Sequence, residues 1–195
     1  MPKLLIVRHG QSEWNALGRW QGQADPPLTN LGESQARKAS QKLGLFDLIV
    51  SSPLQRAKNT ASIISELMGV GPVATEVGLM ERDAGPWQGL TRIEIENGWP
   101  GFLDSGNRPD GYESNPDLLL RVFKVLKKLS ESSEPSDSIL IISHAGIVHA
   151  LENLHDQPSI KVPNLGGRWV EFVDGELVMG KRISLVTEES MPDLL

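Results

Sequence analysis

The chain has 195 residues with no cysteine, and its 19 Lys and Arg stand against 25 Asp and Glu for a formal net charge of −6. That length suits one domain built on one core, spanning residues 1–195. The missing cysteines remove disulfides, thiolate metal sites and a cysteine nucleophile, while the negative charge argues against nucleic acid as the main partner. With no basic leader before Lys3 and no apolar run near 18 residues, the expectation is a cytoplasmic protein with no membrane partner.

In chain order, the first predicted element is "KLLIVRH" (3–9), a continuous aliphatic run of the kind buried on both faces of a parallel sheet. A helix follows over "NLGESQARKASQKLGL" (30–45), with Asn30 and Glu33 spaced as a capping box and Gly44 as its stop. A second strand, "FDLIVSS" (46–52), runs into a helix over 52–69 with Ser52 as N-cap, Pro53 in the first turn and Gly69 beyond the end. The stretch "NGWPGFLDSGNRPDGYESNP" (97–116) is irregular and long enough to be a lid, with Arg108 its only cation. Residues 115–132 carry Leu118, Val122, Val125, Leu126 and Leu129 on one helical face. The strand "SILIISH" (138–144) leads directly into a helix over 144–155, and "GRWVEF" and "GELVMGKRI", separated by "VDG", form a hairpin at the sheet edge. Alternating strands and helices imply an α/β fold, a three-layer α/β/α sandwich on a mostly parallel central sheet.

In such sheets ligands bind beyond the carboxyl ends of the strands, where helix N-termini offer N–H groups to anions. Three of the predicted strands end in that kind of chemistry: the first on Arg8 and His9, the second just before Arg56, the third on His144. Two arginines and two histidines gathered there make a cationic pocket, and Gly10 and Gly146 let backbone approach it closely. A phosphoryl group fits that pocket.

These residues also carry a resemblance. "LIVRHGQSEWN" resembles the signature of the histidine phosphatase superfamily, the phosphoglycerate mutase-like proteins. "GQADPPLTNLGESQA" (22–36), "SSPLQRAKNTA" (51–61), "LMERDAGPWQG" (79–89) and "SHAG" (143–146) are similar, in order, to that family's further motifs. The resemblance implies that His9 is the nucleophile, that Arg8, Arg56 and His144 hold the phosphate, that Asn15 helps fix its oxygens, and that Glu81 is the proton donor. Gln21, Gly22 and Ala145 are the remaining expected substrate contacts, and neither a metal nor another cofactor is called for. The partner it implies is a small phosphorylated metabolite; a homodimer is an open option.

The chemistry stands beside the resemblance. Charge on the oxygens of a phosphoryl group in transfer is stabilised by fixed cationic donors. An unprotonated imidazole can attack phosphorus in line, and neighbouring arginines depress its pKa as like charges do. The leaving alkoxide takes a proton, a role open to Glu81 or to its rival Asp83, which would share one face of an extended segment after a strand. A lone histidine after a strand is more often structural than catalytic, and His149 and His155 read as surface or packing residues on their helix. Trp87 is expected against the strand ends, and Trp14, Trp20 and Trp99 are candidates for the pocket mouth.

Two features depart from the family pattern. Many relatives have an arginine where His149 stands, and a Gly-Gly-Glu-Ser stretch in place of Gly111 to Ser114, "GYES". Mutases that use bisphosphoglycerate are longer, with an arginine- and tyrosine-rich insertion after the acid motif. The sequence therefore favours a metal-independent phosphatase working through phosphohistidine over a cofactor-dependent phosphoglycerate mutase. A non-catalytic phosphate-binding relative is the third reading, and the complete set of Arg8, His9, Arg56, Glu81 and His144 argues against it.

Overall fold

The structure is a computed structural model and describes residues 1–158 and 160–186. A six-stranded sheet runs through its centre in the order β3-β2-β4-β1-β5-β6. Four strands are parallel: β1 (Lys3–Arg8), β2 (Leu48–Ser51), β3 (Ala74–Thr75) and β4 (Ser138–Ser143). The hairpin β5 (Gly166–Val173) and β6 (Glu176–Ser184) joins antiparallel to the free edge of β1. Asp174 and Gly175 turn the hairpin with both φ angles positive (51° and 87°), the conformation a two-residue primed turn demands and an Asp-Gly pair accepts.

The continuous apolar runs have the expected cause. Leu4 and Ile6 of β1, with Ile139 and Ile141 of β4, pack against helices α6 (Asn115–Glu131) and α7 (Ala145–Leu154). Leu5, Val7, Leu140 and Ile142 face the other way, onto α2 (Asn30–Ser40) and α3 (Gln55–Met68). Successive side chains point to opposite faces of a strand, so a strand covered on both sides must be apolar at every position. The five residues predicted for the inner face of α6 are all buried, and Ser114 caps that helix by accepting the Asp117 N–H.

Several boundaries move. Thr29, one residue earlier than expected, caps α2 by accepting the Gly32 N–H. The helix stops at Ser40, because the chain then turns to pack Leu43 and Phe46 on the sheet, so Gly44 caps nothing. Helix α3 starts at Gln55 rather than after Ser52: the Ser52 N–H still pairs with the Ile142 carbonyl, and its hydroxyl accepts the Leu54 N–H and meets His144 Nε2. Asp25 supplies the missing cap from across the chain, its Oδ1 accepting the Gln55 N–H at 2.6 Å. Gly69 ends α3 in the left-handed conformation, as expected. The two-residue strand β3 has no signal of its own in the sequence.

Trp87 does not pack on the strand ends. It is fully buried in a separate cluster with Ala84 and Ile95, ringed by Trp20, Trp99 and Tyr112, where segment 84–112 folds on itself. Helices α4 (Arg92–Gly98) and α5 (Phe102–Ser105) belong to this outlying layer. No helix among the described residues is long and apolar enough to cross a membrane.

Candidate active site

The register of the parallel strands decides what meets at their carboxyl ends. Arg8 lies opposite Ser143, and the His9 N–H pairs with the Ser143 carbonyl, so His9 and His144 leave the sheet side by side. Their rings sit edge to face at 5.2 Å. Both are buried.

The orientation of His9 is fixed by its partners. Its Nδ1 is 2.6 Å from the Gly10 carbonyl oxygen, which can only accept, so Nδ1 carries the proton. Nε2 then keeps its lone pair and receives the Arg56 Nε–H at 3.2 Å. Burial holds the His9 pKa well below the ordinary histidine value of 6.5, and the charges of Arg56 and then Arg8 add to it. Desolvation thus outweighs the like-charge effect expected from the sequence. His144 is held neutral the same way, first by burial and then by Arg56; its Nε2 meets the Ser52 hydroxyl at 2.9 Å.

A cavity of about 910 Å³ opens in front of His9. Arg8, His9, Asn15, Gln21, Gly22, Glu81 and Ala145 all line it. Arg56 and His144 are 0 % exposed and stand one step back from its wall, each in contact with His9, Arg56 at Nε2 and His144 against the ring. The other Arg56 donors bond the Ala24 and Gly22 carbonyls at 2.6 and 2.8 Å, and burial lowers its pKa to about 10. Segment 22–24 therefore anchors the buried cation, which explains why Gly22 is part of the site.

Asn15 is aimed by its neighbours. Its Oδ1 accepts the Ser12 N–H at 3.1 Å in a capping box and the Asn164 Nδ2–H at 3.3 Å. Its own Nδ2 is buried on the cavity wall with no partner among the described residues, a donor ready for an anionic oxygen. The Gln21 oxygen is likewise taken by the Ser12 hydroxyl at 2.7 Å, leaving its NH₂ as the available end.

Glu81 and Asp83 are separated by the turn between them. Residues 77–79 form a single 3-10 turn rather than the expected strand, and the chain then bends. Glu81 reaches the N-terminus of α7, where Oε2 accepts the Gly146 N–H at 3.1 Å, and it lines the cavity. Asp83 turns the other way and closes a tight turn by accepting the Gly85 N–H at 2.9 Å. Gly146 is a glycine for a local reason: a Cβ there would sit 3.0 Å from Glu81 Cδ and closer still to Oε1.

Some residues of the site carry no local sequence signal. Asn164 donates to the His9 carbonyl at 3.0 Å from 155 positions away. Arg121 on α6 binds the Gly78, Met80 and Glu81 carbonyls at 2.6 to 2.9 Å and pairs with Glu113, holding the backbone that carries Glu81. His149, expected at the surface or in packing, lines the cavity on the turn of α7 after Ala145. Burial lowers its pKa. His155 lies instead on a separate, mostly apolar groove of about 820 Å³ beside α6 and the hairpin, which contains none of the expected site residues. Of the three tryptophans proposed for the mouth, only Trp20 reaches the cavity wall. Among the described residues no group of three or more His, Asp or Glu side chains is placed to hold a metal ion.

A neutral imidazole whose one lone pair meets a guanidinium N–H, on a cavity wall shared with a carboxylate, is the equipment of a phosphoryl-transfer enzyme. The chain belongs to the histidine phosphatase superfamily, branch 1, whose sequence profile matches residues 4–175. It is 36% identical over 180 residues to the glucosyl-3-phosphoglycerate phosphatase of Mycobacterium tuberculosis, covering 85% of this chain and 80% of that protein. It is 33% identical over 171 residues to a 2,3-bisphosphoglycerate-dependent phosphoglycerate mutase of Methylorubrum extorquens, covering 81% of each. Among solved structures, a mycobacterial glucosyl-3-phosphoglycerate phosphatase complexed with VO3 superimposes with a TM-score of 0.82 at 31% identity, over 92% of this chain and 97% of that one.

Proposed function

We propose that this chain hydrolyses a small phosphomonoester through a phosphohistidine formed on His9 Nε2. One observation carries the reading: His9 is locked as the Nδ1–H tautomer, so the nitrogen facing the cavity is a neutral nucleophile at neutral pH. The phosphatase relatives support it. Arriving substrate takes the Arg56 Nε–H away from Nε2 onto a phosphoryl oxygen, which frees the lone pair for in-line attack. Arg8, Asn15, Gln21, Arg56 and His144 hold the equatorial oxygens. Glu81 protonates the leaving alkoxide and then takes a proton from the water that hydrolyses the phosphohistidine. Guanidinium charge does the work a metal would otherwise do, so EDTA should leave the rate unchanged. Residues 97–116 cover the site as a lid, with Asn107 to Pro109 and Tyr112 to Asn115 forming part of its wall.

The mutase reading remains the runner-up on a specific observation. The sequence counted Arg108 as the lone lid cation, but the fold brings Arg82, Arg92 and Lys161 to the same cavity. Charge alone therefore does not separate the two activities. A panel of phosphomonoesters, scored for inorganic phosphate, tests hydrolysis. If 3-phosphoglycerate with catalytic 2,3-bisphosphoglycerate gives 2-phosphoglycerate faster than any ester releases phosphate, the mutase reading replaces it.

A further inference from the structure

The loop between α7 and β5 carries part of the cavity wall, through Lys161 and Val162, yet it has little backbone structure of its own. Pro158 and Pro163 cannot donate, and no N–H from 158 to 163 pairs with another backbone group among the described residues. Side chains hold its carbonyls instead. Arg182 of β6 donates from Nη2 to the Ile160 carbonyl at 2.6 Å, and its Nη1 lies 3.5 Å from the Lys161 carbonyl. The next carbonyl, that of Val162, accepts Arg8 Nη1 at 2.9 Å. One short segment therefore joins an arginine of the hairpin to an arginine of the active site.

Arg182 is held in turn by Glu152 of α7, whose side chain is fully buried. Glu152 Oε1 accepts Arg182 Nε at 2.6 Å and Arg168 Nη1 at 3.0 Å, while Oε2 accepts Arg182 Nη2. Arg168 also donates to Gln157 Oε1 at 3.0 Å, where the loop begins. Burial alone would raise the Glu152 pKa; the bonds from Arg182 and Arg168 reverse that effect and hold it below the ordinary carboxylate value. Arg168 and Arg182 stand directly opposite each other on β5 and β6, where like charges repel. A buried carboxylate between two guanidiniums costs desolvation, and apolar side chains are often as stable in its place. Apolar side chains could not hold the carbonyls of Ile160 and Lys161.

We infer that Glu152, Arg168 and Arg182 are positioning residues: they set the course of the segment carrying Ile160, Lys161 and Val162, and through the Val162 carbonyl they aim the Arg8 guanidinium at the phosphoryl group. None of the three side chains lines the cavity, so they act through Arg8 and not on the substrate. The inference rests on the proposed hydrolase reading, in which Arg8 holds phosphoryl oxygens, and adds what fixes Arg8 there. Glu81 has a different support, in Arg121 and Gly146, and is untouched by this brace.

The test is calorimetric binding of inorganic phosphate, which needs no turnover, to the wild type, to Arg182→Met, Arg182→Lys and Arg8→Lys, and to each Arg182 variant combined with Arg8→Lys. Lysine keeps a charge beside Glu152, but its single ammonium cannot bridge the carboxylate and two carbonyls, so Arg182→Lys should keep the fold and still weaken phosphate binding. Both Arg182 variants should bind phosphate about tenfold more weakly, the scale of one hydrogen bond to a charged group. Their kcat/KM should fall in parallel on p-nitrophenyl phosphate and on alkyl esters, leaving the ratio unchanged because Glu81 stays in place. Beside Arg8→Lys the same substitutions should cost about threefold or less, since the group they aim is already gone. A lower melting temperature with unchanged phosphate binding, or a tenfold loss that persists in full beside Arg8→Lys, overturns the inference, as does a wild type that binds phosphate no better than Arg8→Lys. If Arg182→Met does not fold, Arg182→Lys decides by the same criteria. Failure of the wild type to release phosphate from any ester overturns the hydrolase reading instead, and the phosphate-binding cycle still reports on Arg8.

Discussion

Adding one methyl group at Gly146 separates catalysis from stability. Gly146 lies in the first turn of α7, and a Cβ there would overlap the Glu81 carboxylate. The colliding atoms are the far end of a flexible side chain, so Glu81 yields and the helix stays. Restoring ordinary contact requires the carboxylate to move by roughly 1 Å, a misplacement that can cost about 10²-fold in rate. The move also stretches the 3.1 Å bond from the Gly146 N–H that aims Glu81. In the helix itself alanine is favoured over glycine by up to about 1 kcal/mol, so thermal stability should hold or rise slightly. The assay is kcat/KM for Gly146→Ala on an alkyl phosphate and on p-nitrophenyl phosphate, whose leaving group needs no proton. The alkyl ester should lose about 10²-fold and the aryl ester far less. Equal losses on the two esters, or an unchanged alkyl rate in a folded protein, would refute the reasoning that Glu81 is the proton donor held by Gly146.

Three further outcomes follow from the geometry. Glu81→Gln should slow alkyl esters by roughly 10²- to 10⁴-fold with a much smaller effect on the aryl ester, whereas Asp83→Asn, which alters a tight turn, should affect both esters alike and weakly. Arg121→Met frees three carbonyls from their guanidinium and should lower kcat on alkyl esters more than on the aryl ester, because the backbone carrying Glu81 loosens; an unchanged ester ratio would show that the clamp is only structural. Because burial depresses His9 and His144 below 6.5, kcat/KM corrected for titration of the ester should stay flat as pH falls through 6.5. The same two groups make the unfolded chain the stronger proton binder below its histidine pKa, so urea stability, fully present above 6.5, should decline as the pH falls below it. A rate that falls with an ordinary histidine pKa of about 6.5 would contradict the buried neutral pair.

Much of the fold was legible because its strands are apolar at every position and its helices carry one-sided patterns, signals that come from burial on both sheet faces. The boundaries that moved were set by contacts made at a distance: Asp25 capping α3, and Ser52 held in the sheet beside His144. Motifs placed seven expected residues on one cavity wall, since Arg8, His9 and Ala145 follow directly from the strand register. The residues they could not supply, Asn164 and Arg121, reach the site only through tertiary packing. A capping residue or a turn has a local spelling, while an amide that meets His9 from 155 positions away has none.

The central claim is that His9 Nε2 takes the phosphoryl group. Rapid acid-free quenching of the wild-type protein during turnover of a ³²P-labelled ester, followed by peptide mapping, measures it directly. The account predicts a label that is stable in base, labile in acid, confined to the peptide containing His9 and absent from His9→Ala. Turnover without any such label, accompanied by inversion of configuration at phosphorus, would mean that water attacks the ester in a single step, and the account would be wrong.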